Sequence, residues 1–132
     1  MFQNKKRNKK TNRKKAYLWG QGAEWFCMVI LWLKGYQILA HRFKCKVGEI
    51  DIIVQKNGVI CFVEVKARKK TEDALYAISS HQRQRIAKAA DWYLAKNRYG
   101  QTDIFCRFDV MAVEPWTIPT HVKDAWQMDM TY

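Results

Sequence analysis

The chain has 132 residues, 48% of them hydrophobic and 14% aromatic, which supplies a core for one modest domain and excludes both a wholly disordered chain and two independent units. The formal charge of +12 is unevenly placed: Lys5, Lys6, Arg7, Lys9, Lys10, Arg13, Lys14 and Lys15 put +8 into the first fifteen residues with no acid among them, and the rest of the chain holds 16 bases against 12 acids. The expected organisation is a disordered basic arm over 1–15, a domain over 16–115, and a C-terminal tail over 116–132 that packs on the domain.

The arm shows neither apolar periodicity nor turn chemistry, and its eight cations suit polyanion binding through counterion release from phosphates. The apolar run Trp25–Leu33 that follows is nine residues, short of the ~20 needed to span a bilayer. With Glu24 beside it and no Ala-x-Ala site behind it, it is not expected to be a signal peptide either. It reads instead as a helix from Gly22 to Lys34, stopped by Gly35 at C′. Cys27, Ile30 and Leu31 supply one stripe for packing on a sheet. Trp25, Met28, Val29 and Trp32 form a second stripe, which calls for a cover: a second copy of the chain, giving a homodimer, or the tail through Trp116, Ile118, Trp126 and Met128.

Tyr36–Lys46 reads as a strand of weak pattern. Two clear β runs follow, Glu49–Gln55 and Val59–Arg68, around Asn57 and Gly58, the pair best suited to the positive φ angles of a type I′ hairpin turn. Ser79 and Ser80 are candidate N-caps for a helix running to about Asn97, with Ile86, Ala89, Ala90, Tyr93 and Leu94 as its inward stripe. Ile104–Glu114 forms a last strand, ended by Pro115, and 116–132 carries no firm pattern. The order is α-β-β-β-α-β, an α/β fold with a mixed sheet flanked by helices.

The four cysteines, at 27, 45, 61 and 106, lack Cys-x-x-Cys spacing, and three lie in apolar runs. They read as buried, reduced thiols of a cytoplasmic protein. The three scattered histidines speak against a zinc cluster.

The hairpin carries the chemistry. With Asn57-Gly58 as a two-residue turn, Lys56 pairs with Val59, Asp51 faces Glu64, and Glu49 faces Lys66. Asp51 and Glu64 fall in a non-hydrogen-bonded pair, whose Cβ atoms lie ~5 Å apart. Alternation places Ile50, Ile52 and Val54 with Cys61, Val63 and Val65 on one apolar face. Asp51, Glu64 and Lys66 share the other face with Ile53 and Phe62. Two facing carboxylates repel, and a hard divalent cation such as Mg²⁺ (or Mn²⁺) removes that cost. The bland alternative is Lys66 neutralising two acids on a solvated face, against which the company of Ile53 and Phe62 argues. Acids for the cation beside a lysine that stabilises phosphorane charge are the parts of a phosphodiester-cleaving site.

Three blocks, Gly48-Glu49-Ile50-Asp51-Ile52-Ile53, Phe62-Val63-Glu64-Val65-Lys66-Ala67-Arg68 and Arg107-Phe108-Asp109-Val110, together resemble the bacterial YraN-type family, which is assigned to the PD-(D/E)xK, restriction-endonuclease-like fold. Gly22-Ala23-Glu24 and Gly35-Tyr36 extend the resemblance over about residues 20–114. A more distant similarity is to archaeal Holliday-junction resolvases. The resemblance implies Asp51 and Glu64 as metal-binding carboxylates, Lys66 as the catalytic lysine, and Glu24 as the first-helix acid completing the metal site. Its alternative role is a first-turn charge against the helix dipole. Gln82 stands near where YraN-like sequences usually carry lysine, and some nucleases of this fold use glutamine there. It could reach the site from the inward stripe, or act with Ser79 in a capping box. Asp109 reads as structural, paired with Arg107 or Arg68. Arg68, Lys69, Lys70, Arg83 and Arg85 flank the site and would suit phosphate contacts.

The expected function is therefore a small Mg²⁺-dependent endonuclease hydrolysing phosphodiester bonds in DNA, branched or Holliday-junction DNA included, by metal-activated water. The alternative is a non-catalytic nucleic-acid-binding module, RNA- or ribosome-associated. No membrane partner is expected, and no base-readout helix is evident.

Overall fold

The computed structural model describes residues 22–97 and 104–127. The basic arm, Lys5 to Lys15, and Met128 lie outside these residues. Helix α1 (residues 22–33) ends where Gly35 adopts φ +91°. Its N–H donates to the Trp32 carbonyl at 3.0 Å and that of Tyr36 to the Leu31 carbonyl at 3.0 Å. This is a Schellman closure, and it is what the left-handed residue at C′ permits.

Strands β1 (Gln37–Cys45), β2 (Gly48–Lys56) and β3 (Val59–Ala67) form an antiparallel meander. Asn57 at φ 51° and Gly58 at φ 76° make the tight turn, and Lys56 pairs with Val59 as the two-residue loop requires. Two helices then cross to β4 (Phe105–Val113), which lies parallel to β3: α2 (Thr71–Tyr76) and α3 (Ser80–Lys96). Finally, β5 (Thr120–Trp126) adds antiparallel to β4, completing a mixed sheet of order β1-β2-β3-β4-β5.

Neither α2 nor β5 is visible in the sequence pattern. The Lys70 side chain makes no cap for α2; Glu114, at the end of β4, accepts the Thr71 N–H at 2.8 Å and the Thr71 hydroxyl at 2.7 Å instead. In β5 the alternation is broken by Asp124 at φ 52°, opposite an irregularity in β4 between Phe108 and Val110.

Two apolar layers cover the two faces of the sheet. Under α3 lie Ile50, Ile53, Ile60, Phe62, Ile86, Ala89, Ala90, Tyr93, Phe108 and Trp126. Under α1 lie Cys27, Met28, Leu31, Ile52, Val54, Cys61, Val63 and Met111. The fold is compatible with the restriction-endonuclease-like class. Among the described residues no helix is long and apolar enough to cross a membrane.

Several expectations are corrected. Ile50 joins the α3 layer, not that of Ile52 and Val54. The register of the flanking pairs sets Arg42 opposite Asp51; it is unbroken there, its shift lying between Ile38 and Ala40, but Arg42 has φ 55° and the alternation changes face at this point. Met28 is buried beside Leu31, whereas Trp25, Phe26, Val29, Trp32 and Leu33 are exposed. The described part of the tail does not cover them. Trp126 stacks on Phe108, ring centroids 5.2 Å apart, in the α3 layer, and Trp116 and Ile118 are exposed. All four cysteines are free, but Cys45 is only half-buried and Cys106 is exposed.

Candidate active site

The pairing of β2 with β3 runs from Lys56–Val59 to Ile52–Val63 and stops one residue before Asp51. Beyond it β2 stays with β1 as far as Gly48, Glu49 pairing with Lys44, while β3 continues beside β4. The sheet forks. The backbone ladder thus stops short of the Asp51–Glu64 pair that the hairpin register predicts, though the two carboxyls still meet, and it does not include a Glu49–Lys66 pair. In place of the missing backbone ladder, the Val65 N–H donates to Asp51 Oδ2 at 2.8 Å. The carboxylate is held in the mouth of the fork by the strand it no longer pairs with.

Glu64 is buried and held from two sides. Gln82, in the first turn of α3, donates its amide to Oε1 at 2.8 Å, and Lys66 Nζ lies 3.3 Å from the same oxygen. Ser79 Oγ accepts the Gln82 backbone N–H at 3.1 Å, the N-cap half of a capping box. The other half is not made, since the Gln82 side chain turns to Glu64. α3 can approach so closely because Gly48 lies beneath it: a Cβ there would stand 2.5 Å from the Arg85 carbonyl oxygen.

Burial, then the negative charge of Asp51, push the Glu64 carboxyl up to about 8, with Lys66 pulling the other way. Burial also raises Asp51, opposed by the Val65 N–H. The pair thus holds a proton at neutral pH, the response of two carboxyls packed together with the Lys66 ammonium offsetting only part of their charge. A hard, oxygen-seeking divalent ion would replace that proton, and Mg²⁺ commonly uses one or two carboxylates and takes its remaining ligands from water and phosphate. Asp51 and Glu64 fit that description.

Glu24 stands apart. Its Oε2 accepts from Arg42 Nε at 2.9 Å and lies 3.0 Å from His41 Nε2, so β1 holds it, though its charge is felt at Asp51. Among the described residues no three or more His, Cys, Asp or Glu side chains assemble into a group able to hold a metal ion. His41 and Arg42 were not legible as partners of Glu24, because the left-handed turn at Arg42 that aims them has no sequence signature.

Of the flanking bases, Arg68, Lys69, Lys70 and Arg85 are exposed. Arg83 is half-buried, its guanidinium 5.7 Å from the Trp126 ring centroid. Asp109 is fully buried on the α1 side, paired with Arg107 Nε at 2.8 Å and His121 Nε2 at 2.7 Å, and it accepts the Asp124 N–H at 3.0 Å. Burial alone would raise it, but His121 and Arg107 hold it at about 2. His121 and Asp124 escaped sequence reading because they lie on β5. A cavity of about 530 Å³ lies between the start of α1 and residues 113–118 and touches none of the carboxylates of the fork.

The sequence pattern of the uncharacterised protein family UPF0102 matches residues 23–113. The UPF0102 protein mlr4633 of Mesorhizobium japonicum is 43% identical over 116 residues, 87% of this chain and 91% of that protein. The UPF0102 protein Atu0303 of Agrobacterium fabrum is 43% identical over 115 residues, 86% and 93% of the two chains. The UPF0102 protein R00337 of Rhizobium meliloti is 40% identical over 117 residues, 88% and 94%. With more than two thirds of its length matched, the chain belongs to the UPF0102, YraN-type family.

Proposed function

We propose that the protein is a Mg²⁺- or Mn²⁺-dependent nuclease that hydrolyses phosphodiester bonds in DNA, branched DNA included. The observation that carries this reading is the fork itself: a half-buried carboxyl held by a backbone N–H and a buried one held by Gln82, with Lys66 3.3 Å from Glu64. Asp51 and Glu64 would hold the cation, and Glu24 would add negative charge from beside it. When bound, the cation supplies Lewis acidity to a phosphoryl oxygen and acidity to a water molecule. Lys66 orients the attacking water and stabilises the charge that develops on the non-bridging phosphoryl oxygens as the new P–O bond forms and the ester bond breaks, the leaving oxygen taking its proton from solvent. Gln82 fixes the Glu64 carboxylate through one oxygen, Oε1. Arg68, Lys69 and Lys70, leaving the end of β3, and Arg85 on α3 would receive flanking phosphates, joined by the arm cations Lys5 to Lys15. A cytoplasmic setting with reduced thiols belongs to the same reading, supported by four free cysteines.

The test is Mg²⁺-dependent cleavage of linear, flapped and four-way DNA by the wild type and by Asp51→Asn and Glu64→Gln. Cleavage lost in both variants with DNA affinity kept supports the reading, and undiminished cleavage sinks it. The engagement of Glu24 by His41 and Arg42 favours a second reading, a nucleic-acid-binding module without catalysis, RNA- or ribosome-associated. Tight, salt-dependent RNA binding with no cleavage in Mg²⁺ or Mn²⁺ would select it.

A further inference from the structure

A second polar cavity, of about 180 Å³, opens at the other end of the sheet, beside the β2–β3 turn. It lies on the α1 side, whereas Glu64 meets α3. Measured along β3, its floor at Val59 and Cys61 is ~10–16 Å from Glu64 at the ordinary rise of a strand. Three cations line it, Lys56, Arg107 and Lys123, together with Tyr36 and Asn57. No carboxylate lines it. The buried Asp109 offsets the Arg107 charge from behind, and Asp124, next to Lys123 in the chain, is exposed and does not line the cavity.

Arg107, Tyr36 and Lys56 are held in place, whereas Asn57 and Lys123 are exposed. Arg107 gives Nε and Nη2 to the two Asp109 oxygens, at 2.8 and 2.9 Å, so its plane is fixed. Nη2 also donates to the Tyr36 hydroxyl at 3.1 Å, which leaves the phenol its own proton to donate. Lys56 donates to the Lys34 carbonyl at 2.6 Å and lies 5.1 Å from the Tyr36 ring centroid, so its ammonium covers the carbonyl end of α1. A guanidinium edge, two ammoniums, a phenol and an amide converging on a space of this size are matched by a small, highly charged oxyanion.

We propose that this cavity binds a single phosphoryl group, borne by a small phosphate or by a nucleic-acid strand. The proposal concerns a site separate from the fork and does not require cleavage there. Neither the facing carboxylates nor the basic arm points to it.

The experiment is an amide NMR titration of the full chain with inorganic phosphate in EDTA, chloride being exchanged out at constant ionic strength. Saturable shifts at Asn57, Arg107 and Lys123 are expected, with half-saturation near ~1 mM, an ordinary value for one small anion. Lys56→Gln/Lys123→Gln should weaken binding at least ~10-fold, one order of magnitude in the affinity scale. Lys56→Arg/Lys123→Arg should retain it, and Glu64→Gln should leave it unchanged, which separates this site from the fork. Two further arms identify the source: a nucleoside 5′-phosphate against its nucleoside, and an oligonucleotide with and without a 5′-phosphate. A preference for the nucleotide or for the phosphorylated strand supports the site and names its ligand. Linear, unsaturable phosphate shifts, or equal affinity in the double glutamine variant, overturn it whatever the oligonucleotide does.

Discussion

Gln82 donates its side-chain amide to Glu64 at 2.8 Å while its backbone N–H caps onto Ser79, so one residue both starts α3 and orients a carboxylate of the candidate site. A donor on that oxygen favours the ionised form, the one a cation requires. Truncating such a supporting residue generally costs ~10–100-fold in metal affinity or activity, and Gln82→Ala is expected to do so. The helix cap survives, because it uses the backbone N–H. Gln82→Lys places a cation where YraN-type sequences usually carry one, and it is expected to lose less than the alanine variant. Mn²⁺ titration calorimetry beside cleavage rates checks both; an alanine variant with wild-type metal affinity would reduce Gln82 to a capping residue.

Glu64 also makes stability depend on pH. Its folded carboxyl is raised to about 8 from an ordinary 4.5, so between those values the folded protein holds a proton that the unfolded chain has released. The metal-free protein should therefore lose stability as pH rises through this window, by up to ~1.4 kcal/mol per pH unit for one proton. Asp109 acts in the opposite sense at the acid end. Held at about 2, it contributes stability that is lost as pH falls below the usual carboxylate range. Thermal melts from pH 4.5 to 8 in EDTA should slope downward for the wild type and flatten for Glu64→Gln, which should also melt higher at pH 8. Parallel curves for the two proteins would mean that the buried pair does not carry the proton.

How legible these features are in the sequence depends on where their causes lie. Asn57-Gly58, Gly35 and Ser79 act on neighbours one to three residues away, so the hairpin, the end of α1 and the start of α3 follow from local chemistry. The cap of α2 comes from Glu114, 43 positions along the chain, and the anchor of β5 is a buried carboxylate on another strand. The candidate site divides in the same way. Alternation brings Asp51, Glu64 and Lys66 together, but the fork that parts β2 from β3 at Asp51, and the turn at Arg42 that ties Glu24 to β1, come from packing three strands and two helices at once. A two-strand register cannot contain them.

Gly48 is the point where that packing is tightest. A methyl group there would meet the Arg85 carbonyl oxygen at 2.5 Å, and backbone cannot swing aside as the tip of a side chain would. Gly48→Ala is expected to cost ~1–3 kcal/mol, the usual range for overpacking. In a domain of this size that lowers Tm by roughly 5–20 °C. It should also push the first turn of α3, with Gln82, away from Glu64. Gly22→Ala is the control, since nothing lies within 4 Å of a Cβ there. Equal melting temperatures for the two variants would show that α3 shifts freely and does not fix the site.

The exposed face of α1 leads to a last expectation, that the protein self-associates. Trp25, Val29 and Trp32 lie at i, i+4 and i+7 on one side of the helix, the two tryptophans 63% and 66% exposed, with Phe26 and Leu33 beside them. A single stripe of this kind is self-complementary across a two-fold axis, the commonest symmetry of soluble oligomers, so a second copy is the occupant proposed. The described part of the tail is not the cover, because Trp126 is committed to Phe108 on the other face of the sheet. Trp25 also packs edge-on against His41, ring centroids 5.4 Å apart, and His41 holds Glu24, so a dimer through α1 would abut the fork. Sedimentation at tens of micromolar should show a dimer, at ~8 kcal/mol for a micromolar Kd. Trp25→Glu/Trp32→Glu should be a monomer with little change in melting temperature, since neither ring is in the core. A wild type that stays monomeric at that concentration removes the dimer.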